Sequence, residues 1–224
     1  MSSKYIKIHL HNASYDLKFL LNRGYKKKAA INLVANKYVL NKIGRNYLER
    51  KVFSDDKSRD RSHKIIDIDN ITNKTIFIDG YNVLISVETI CNCEYDSLVL
   101  CDDGVLRDLK AVFGKYKINS TTEKALDNVI RILKQHNPAY VYFFYDSPVS
   151  KSGELARITN SIIQINKLNG CAVTNKNVDF ELVKQSQKYG GIVATSDGPI
   201  IDRIKNVLDI PNQICKTLTN FKEN

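Results

Sequence analysis

In the stretch Thr75-Ile-Phe-Ile-Asp79-Gly-Tyr-Asn82, a short β-rich apolar run ends in an aspartate. Three further runs of this kind follow, at Ala139–Tyr145, Cys171–Thr174 and Gly191–Thr195. These three lack a strict alternation of apolar and polar residues, as expected of parallel strands covered on both faces. Because helical patterns separate the runs, the sequence predicts an α/β fold with a doubly wound, mostly parallel sheet.

The segments between the strands complete one α/β domain, which we assign to residues 74–224. The predicted helices cover Thr121–Gln135, Gly153–Leu168, Val178–Tyr189 and Pro199–Val207. An insertion from Glu88 to Tyr116 precedes the first of them and contains a candidate extra strand at Ser97–Cys101.

Residues 1–62 are interpreted as a small basic helical module. Its predicted helices run from a Ser14 N-cap to Arg23, over Tyr25–Val39 and over Gly44–Val52. The inward positions of the second helix are Ala29, Ala30, Leu33 and Val34. The stretch Ser54–His63 contains no apolar residue and predicts an exposed loop, with residues 63–73 as the linker to the second domain.

The net charge of +10 is concentrated at the start of the chain. Residues 1–64 hold 16 basic and 5 acidic side chains, whereas the remaining residues hold 18 and 19. This asymmetry favours a polyanion, with nucleic acid as the leading candidate, over a merely solvated lysine-rich surface. The side chains expected to contact nucleic acid are Arg23, Lys26, Lys27, Lys28, Lys37, Arg45, Arg50 and Lys51.

Composition narrows the class of protein further. No stretch approaches the roughly 18 apolar residues of a membrane span, and the N-terminus lacks an apolar signal segment, so we expect a cytoplasmic protein. Five irregularly spaced cysteines are expected to be reduced. Zinc at Cys91, Cys93 and Cys101 is an alternative, but a second ligand pair at the usual spacing is missing.

Acidic residues follow each of the four predicted strands. Asp79 ends the first strand, Asp146 follows the second, Asp179 lies just after the third, and Asp197 follows the fourth, with Asp202 beyond it. The carboxyl ends of parallel strands share one edge of a sheet, where ligands bind at the point at which the strand order reverses. We therefore expect these carboxylates to converge.

Converging carboxylates raise one another's pKa, and a divalent cation relieves that repulsion. Mg²⁺ or Mn²⁺ prefers oxygen ligands and is commonly held by a few carboxylates together with substrate phosphate. One or two such ions can activate water and stabilise the leaving oxygen of a phosphodiester. The arrangement therefore indicates metal-dependent cleavage of a phosphate ester.

Each acid also has a structural interpretation. Asp79 and Asp146 can close turns, Asp179 can stabilise a helix N-terminus, and Asp197 can cap a helix that begins at Pro199. Ser120 and Glu123 match a capping box, which favours a structural role for Glu123. The acidic segment that contains Asp103 and Asp108 is either a turn that leads into a helix, or it is functional, as a substrate-facing loop or as an extra metal ligand.

The motifs resemble those of the PIN-like nucleases. Ile-Asp-Gly-Tyr-Asn at 78–82 resembles the opening motif of NYN-type members, and the segments at 178–183 and 194–202 resemble the third and fourth acidic motifs. The resemblance covers roughly residues 74–210. The whole chain also looks like an uncharacterised archaeal family that joins a basic helical N-terminal part to such a domain.

The resemblance implies a Rossmann-like sheet, a Mg²⁺ or Mn²⁺ ion, and single-stranded or structured RNA as the substrate. Asp79, Asp179 and Asp197 match acids of the family pattern, and Asp146 matches a position that is acidic in some relatives. Supporting roles fall to Thr195 and Ser196, which would orient the fourth acid, and to Asn82, which would orient Asp79 or a water. The second acid of the pattern is uncertain, with Glu123, Asp127 and the acids of residues 102–108 as candidates.

The leading hypothesis is a metal-dependent endoribonuclease in which Asp79, Asp179 and Asp197 hold the metal and Asp146 lies nearby. A non-catalytic RNA-binding protein on a degenerate fold of the same kind is the second hypothesis. A phosphatase that acts on a small molecule is the third. The sequence leaves the oligomeric state open, including a homodimer.

Overall fold

The computed structural model describes residues 3–109 and 116–219, so residues 110–115 of the predicted insertion lie outside the described part. The chain divides into two compact units. The first comprises Met1–His63 with Val99–Leu109, and the second comprises Lys64–Leu98 with Lys110–Asn224. The middle of the insertion therefore belongs to the first unit.

The first unit contains four helices around a small apolar core. They are α1 (Ser3–Asn22), α2 (Lys27–Lys37), α3 (Lys42–Lys51) and α4 (Asp55–Ser62). The core includes Ala13, Leu17, Ala30, Val34 and Leu48. The prediction of a basic helical N-terminal region is thus confirmed.

Two details of the predicted helices are wrong. Ser14 is not an N-cap, because α1 begins at Ser3 and the Ser14 hydroxyl donates to the carbonyl oxygen of Leu10 at 2.7 Å inside the helix. Helix α2 turns Ala30 and Val34 inward together with Ile31 and Ala35, one position away from the predicted face. Ala29 and Leu33 are consequently exposed.

The stretch predicted as an exposed loop is helix α4. Its N-cap Ser54 accepts a hydrogen bond from the Lys57 amide, its first turn is acidic, and its last turn is basic. These features stabilise a helix without apolar residues, because opposite charges complement the two ends of the helix dipole. Arg61 is nevertheless buried, so the helix is anchored by a polar contact.

That contact is a buried ion-pair network in the first unit. Asp103 lies just before strand β3 (Leu106–Asp108), which pairs with strand β2 (Leu98–Leu100). Its carboxylate accepts from Arg61 Nη1 at 3.0 Å and from Arg107 Nη1 and Nη2 at 2.6 and 2.7 Å. Burial acts to raise the pKa of Asp103, but the two guanidinium groups hold it below its ordinary value. Asp103 therefore has a structural role.

The second unit is built on a four-stranded parallel sheet. Its strands are β1 (Thr75–Asp79), β4 (Tyr140–Asp146), β5 (Gly170–Asn175) and β6 (Ile192–Ala194), in the spatial order β5-β4-β1-β6. The chain moves from β1 outward to β4 and β5, and then returns to the other side of β1 to form β6. The predicted α/β fold with a parallel sheet is confirmed.

In the part of this unit that the structure describes, six α-helices accompany the sheet. They are α5 (Gly80–Cys91), α6 (Ser120–Gln135), α7 (Ser152–Ile165), α8 (Val178–Tyr189), α9 (Gly198–Ile201) and α10 (Ile210–Thr219). The helix predicted over 199–207 is wrong beyond Ile201. There the backbone turns so that Val207 N donates to Lys64 O at 2.8 Å and Leu208 N donates to Val193 O at 2.9 Å.

Of the predicted linker, His63 ends the first unit and residues 64–73 belong to the second unit. Ile68 and Ile71 are buried in a short 3-10 turn, and Ile65 forms a parallel bridge with Val207. Among the described residues, no helix is both long and apolar enough to cross a membrane.

Candidate active site

The carboxyl ends of the four parallel strands lie along one edge of the sheet. Asp79 is level with Phe144 of β4, and Asp146 at the end of β4 is level with Asn175 of β5. On the other side, Ile78 is level with Ala194 of β6, so Thr195 follows at the height of Asp79. The strand order reverses between β1 and β6, which is where ligands bind in open parallel sheets.

Asp79 is the buried acid of this edge, with a relative exposure of 6%. Its Oδ2 accepts a hydrogen bond from Thr195 Oγ1 at 2.9 Å. Burial raises the pKa of Asp79 from 3.8 to about 7, and the Thr195 hydroxyl opposes this rise. The negative charges of Asp197, Asp146 and Asp179 contribute to this same rise. The four predicted acids are therefore brought close enough for their charges to interact.

Asn82 fastens the loop after β6 to the start of α5. Its Oδ1 accepts from both the amide and the hydroxyl of Ser196, at 2.7 and 2.8 Å. In these contacts Asn82 and Ser196 hold each other, and the predicted roles of Asn82 in orienting Asp79 or a metal-bound water, and of Ser196 in orienting the fourth acid, stay predictions. The Asn82 Nδ2 group has no hydrogen-bond partner among the described residues, so it remains available to a ligand.

Asp197 both caps a helix and belongs to the acidic cluster, the two roles predicted as alternatives from the sequence. Its Oδ1 caps α9 by accepting from Ile200 N at 3.4 Å, while its charge acts on Asp79. Its amide donates to Thr195 Oγ1 at 3.1 Å. Thr195 therefore links the buried acid of β1 to the backbone of the acid after β6, which fixes the local geometry.

Asp146 and Asp179 form the more open side of the edge. Burial raises the pKa of Asp146, which is half-buried, and the charge of Asp179 adds to the rise. Asp179 is exposed in the first turn of α8, where the helix dipole favours a negative charge. Asn177, rather than Asp179, caps this helix.

Tyr81 is a buried residue of the site that the sequence motif contained but to which we assigned no role. Its ring packs edge-on against Tyr145 and Tyr116, at centroid distances of 5.3 and 5.1 Å. Its hydroxyl is buried and has no hydrogen-bond partner among residues 3–109 and 116–219. Burial and the charge of Asp146 raise the pKa of Tyr81 to about 12, so the hydroxyl stays protonated.

Other acids proposed from the sequence occupy different positions. Asn119 and Thr122 form the capping box of α6, so the predicted pairing of Ser120 with Glu123 is wrong and Glu123 is exposed. Asp127 pairs with Arg131 at 2.7 Å. Asp202 is the exposed residue at the end of α9.

The acids of the predicted substrate-facing loop belong to the first unit. Asp103 is held by Arg61 and Arg107, and Asp108 is buried at the end of β3. The sheet aspartates belong to the second unit. A role for Asp103 as a metal ligand is not supported, because its carboxylate is already saturated by guanidinium groups.

The side chains at this edge of the sheet have the chemistry that a divalent cation requires. Hard carboxylate oxygens, one of them buried and repelled by three other acids, match the preference of Mg²⁺ or Mn²⁺ and the need for charge neutralisation. As placed, the described residues contain no group of three or more His, Cys, Asp or Glu side chains that could hold a metal ion. Cation binding would therefore require these side chains to close in.

The basic side chains of the first unit differ in how accessible their charges are. Lys27 lies 3.6 Å from the Phe53 ring centroid, and burial lowers its pKa to about 8. Lys37 pairs with Asp16 at 2.7 Å, and Lys51 lies 3.6 Å from Asp102. Of the other residues predicted to contact nucleic acid, Arg45 donates to Asn36 at 2.6 Å and Arg50 is half-buried. Arg23, Lys26 and Lys28 are exposed.

Comparison with known proteins gives a family but no activity. A family model described as "Domain of unknown function (DUF5616)" matches residues 68–213, and the chain belongs to this family. A second, "Protein of unknown function (DUF434)", matches residues 9–64. "Uncharacterized protein MJ0935" of Methanocaldococcus jannaschii is 40% identical over 203 residues, which cover 90% of this chain and 94% of that protein. No solved structure gives a significant match.

Proposed function

We propose that the protein is a metal-dependent endoribonuclease of the PIN-like type, acting in the cytoplasm. The observation that best supports this proposal is the burial of Asp79 at a sheet edge with three further carboxylates. Burial and these carboxylates together raise the pKa of Asp79 to about 7. An unfavourable assembly of this kind is typical of a functional site, where charge is arranged for a ligand and not for stability.

The side chains divide the work in the proposed reaction. A bound Mg²⁺ or Mn²⁺ ion would supply an activated water and charge stabilisation for hydrolysis of the phosphodiester. Asp79, Asp179 and Asp197 would hold the ion, and Asp146 lies beside them. Thr195 keeps the Asp79 carboxylate in place, and the free Asn82 amide can donate to a water or a phosphate oxygen.

The basic first unit supports RNA as the substrate. Residues 1–64 hold 16 basic side chains against 5 acidic ones, so the net positive charge of the chain lies there, and contacts between such basic side chains and phosphates supply sequence-independent affinity. We therefore expect binding that weakens steeply as the salt concentration rises.

Two isosteric substitutions test the proposal. Asp79→Asn keeps an oxygen for the Thr195 hydroxyl, and Asp197→Asn keeps a good cap for α9. We expect both to abolish cleavage of a labelled RNA in Mn²⁺ while RNA affinity in EDTA is unchanged. Asp69→Asn, an exposed acid elsewhere in the second unit, is the matched control and should cleave normally. Full activity in both site variants would refute the assignment.

A non-catalytic RNA-binding protein on the same fold is the alternative. It is favoured by the absence, among the described residues, of a set of side chains already placed to hold a metal ion. Titration with Mn²⁺ followed by calorimetry separates the two functions. Binding that is lost in Asp79→Asn supports the nuclease, whereas no binding to the unmodified protein supports the alternative.

A further inference from the structure

One face of helix α1 presents aromatic side chains to solvent. Tyr15 and Phe19, one helical turn apart, have relative exposures of 73% and 51%. Arg23 continues the same row just after the helix, with its guanidinium carbon 4.4 Å from the Phe19 ring centroid. The opposite face buries Ala13 and Leu17. The exposed aromatic rings are therefore not needed for the core of the first unit.

The charge around this row is positive. Asp16 is neutralised by Lys37 at 2.7 Å, and Asp55 by Lys18 at 2.9 Å. By contrast, Arg23, Lys26 and Lys28 are exposed, and they make no ion pair within the described part of the chain. A ligand that lies along α1 would therefore meet aromatic faces flanked by uncompensated positive charge.

We propose that Tyr15, Phe19 and Arg23 form a stacking platform for the unpaired bases of single-stranded RNA. Every base has a π-face, so stacking on aromatic rings tolerates any sequence, and a guanidinium plane can stack in the same way. Lys26 and Lys28, which follow Arg23 closely in the sequence, can contact phosphates. A duplex hides its base faces and cannot use the platform. The proposal rests on the proposed function for the identity of RNA as the ligand, and it selects single strands as the substrate class.

The test measures binding without cleavage. A fluorescently labelled oligouridine of about 15 nucleotides and a duplex of the same length are titrated with the full chain in EDTA, and binding is followed by anisotropy. Changing Tyr15→Ala and Phe19→Ala together should weaken binding of the single strand roughly tenfold or more. The salt dependence should not change, because no charge is lost. Arg23→Ala should weaken binding and reduce the salt slope by about 0.7.

Matched variants separate stacking from a general loss of surface. Tyr189→Ala removes an aromatic ring that is 61% exposed and also has a lysine over it, Lys188 at 4.7 Å, but lies in the second unit. Its affinity for the single strand should equal that of the unmodified protein. Tyr15→Phe combined with Phe19→Tyr keeps both rings and should bind normally. Thermal melting followed by circular dichroism checks that every variant is folded.

Two results would overturn the platform: unchanged single-strand affinity in the double alanine variant, or duplex binding as tight as single-strand binding. Because all titrations are done in EDTA, the outcome does not depend on catalysis. A protein that never cleaves RNA but loses single-strand binding in the double variant would refute the proposed nuclease and retain the platform. Cleavage with an unaffected double variant would do the reverse.

Discussion

At the scale of single residues, Asp79 is the group that most strongly couples the site to stability. Its pKa of about 7 in the folded protein compares with 3.8 for an ordinary aspartate. Between these two values the unfolded chain releases the Asp79 proton while the folded chain keeps it. Stability therefore falls as pH rises from about 4 to about 7 and is then constant, with a total cost of roughly 4 kcal/mol.

The fall in stability with rising pH leads to a prediction for Asp79→Asn in the absence of metal. Asparagine does not ionise and retains the hydrogen bond from Thr195, so the variant should lack the fall in stability between pH 4 and 7. The variant should melt at a higher temperature than the unmodified protein at pH 8, and the difference should shrink toward pH 4. Calorimetric melting in EDTA across this range is the measurement. An equal difference at both ends of the range would contradict the assigned pKa.

Tyr81 and Tyr145 offer a paired test of hydroxyl burial. The Tyr81 hydroxyl has no hydrogen-bond partner in the described part of the chain, whereas the fully buried Tyr145 hydroxyl lies 2.8 Å from Thr159 Oγ1. Tyr81→Phe should leave the free energy of unfolding unchanged or raise it by about 1 kcal/mol or more, since an unsatisfied buried group is removed. Tyr145→Phe should lower it by about 1 kcal/mol. Urea titrations measure the free energy of unfolding of each variant. An equal loss of stability in both variants would show that the Tyr81 hydroxyl has a hydrogen-bond partner.

At the scale of elements, the junction of β1 and α5 depends on close backbone approach at Gly80. A Cβ atom there would overlap the Tyr145 ring and lie 2.8 Å from the Phe144 carbonyl oxygen. The helix can start directly after Asp79 only because nothing fills this space. The sequence Asp-Gly at 79–80 thus allows the buried acid and the helix to be adjacent.

Gly80→Ala should therefore destabilise the second unit by about 1–3 kcal/mol, the usual cost of overpacking. The matched control is Gly153→Ala in α7, where an added Cβ has nothing within 4 Å. That change should raise stability by up to about 1 kcal/mol, because alanine is the better helix former. Melting temperatures of the two variants should shift in opposite directions. A Gly80→Ala protein that melts like the unmodified one would show that the junction has room.

The sequence predicts some of the helices and strands and not others. Strands β1, β4, β5 and β6 were predictable because apolar runs bounded by polar residues differ clearly from helical patterns. The sequence pattern does not predict helices α4 and α5, for opposite reasons: α4 has no apolar face, and the largely apolar α5 begins at Gly80, directly after the last residue of β1. The prediction extended α9 too far because Ile204 and Val207 continue its apolar spacing, whereas the Val207 amide donates to Lys64.

The site was predictable at the same level of detail. Strand ends placed Asp79, Asp146, Asp179 and Asp197 at one edge, since parallel topology alone brings such positions together. The contacts between side chains were not predictable. Whether Asn82 holds Asp79 or Ser196 depends on the register of β6 against β1, and whether Asn119 or Ser120 caps α6 depends on one residue of backbone rotation.

At the scale of the whole molecule, charge is divided between the two units. Most of the net positive charge lies in residues 1–64, whereas the second unit carries the repelling aspartates. Because the two units are parts of one chain, a polyanion bound by the first unit, as we propose, would have a raised effective concentration at those aspartates. The same aspartates make the metal-free protein less stable than its core would allow. Metal binding should therefore be visible in the stability of the complete chain.

Mn²⁺ should raise the melting temperature of the full-length protein. A ligand at about a hundredfold excess over its dissociation constant adds about 2.7 kcal/mol, which corresponds to a shift of roughly 5–10 °C for a chain of this size. Asp79→Asn should lose most of the shift, because one ligand oxygen loses its charge, whereas Asp69→Asn should retain it. Circular dichroism is the suitable probe, since the chain has 12 tyrosines and no tryptophan. Equal shifts in all three proteins would place the ion away from the sheet edge, and the proposed metal site would then be wrong.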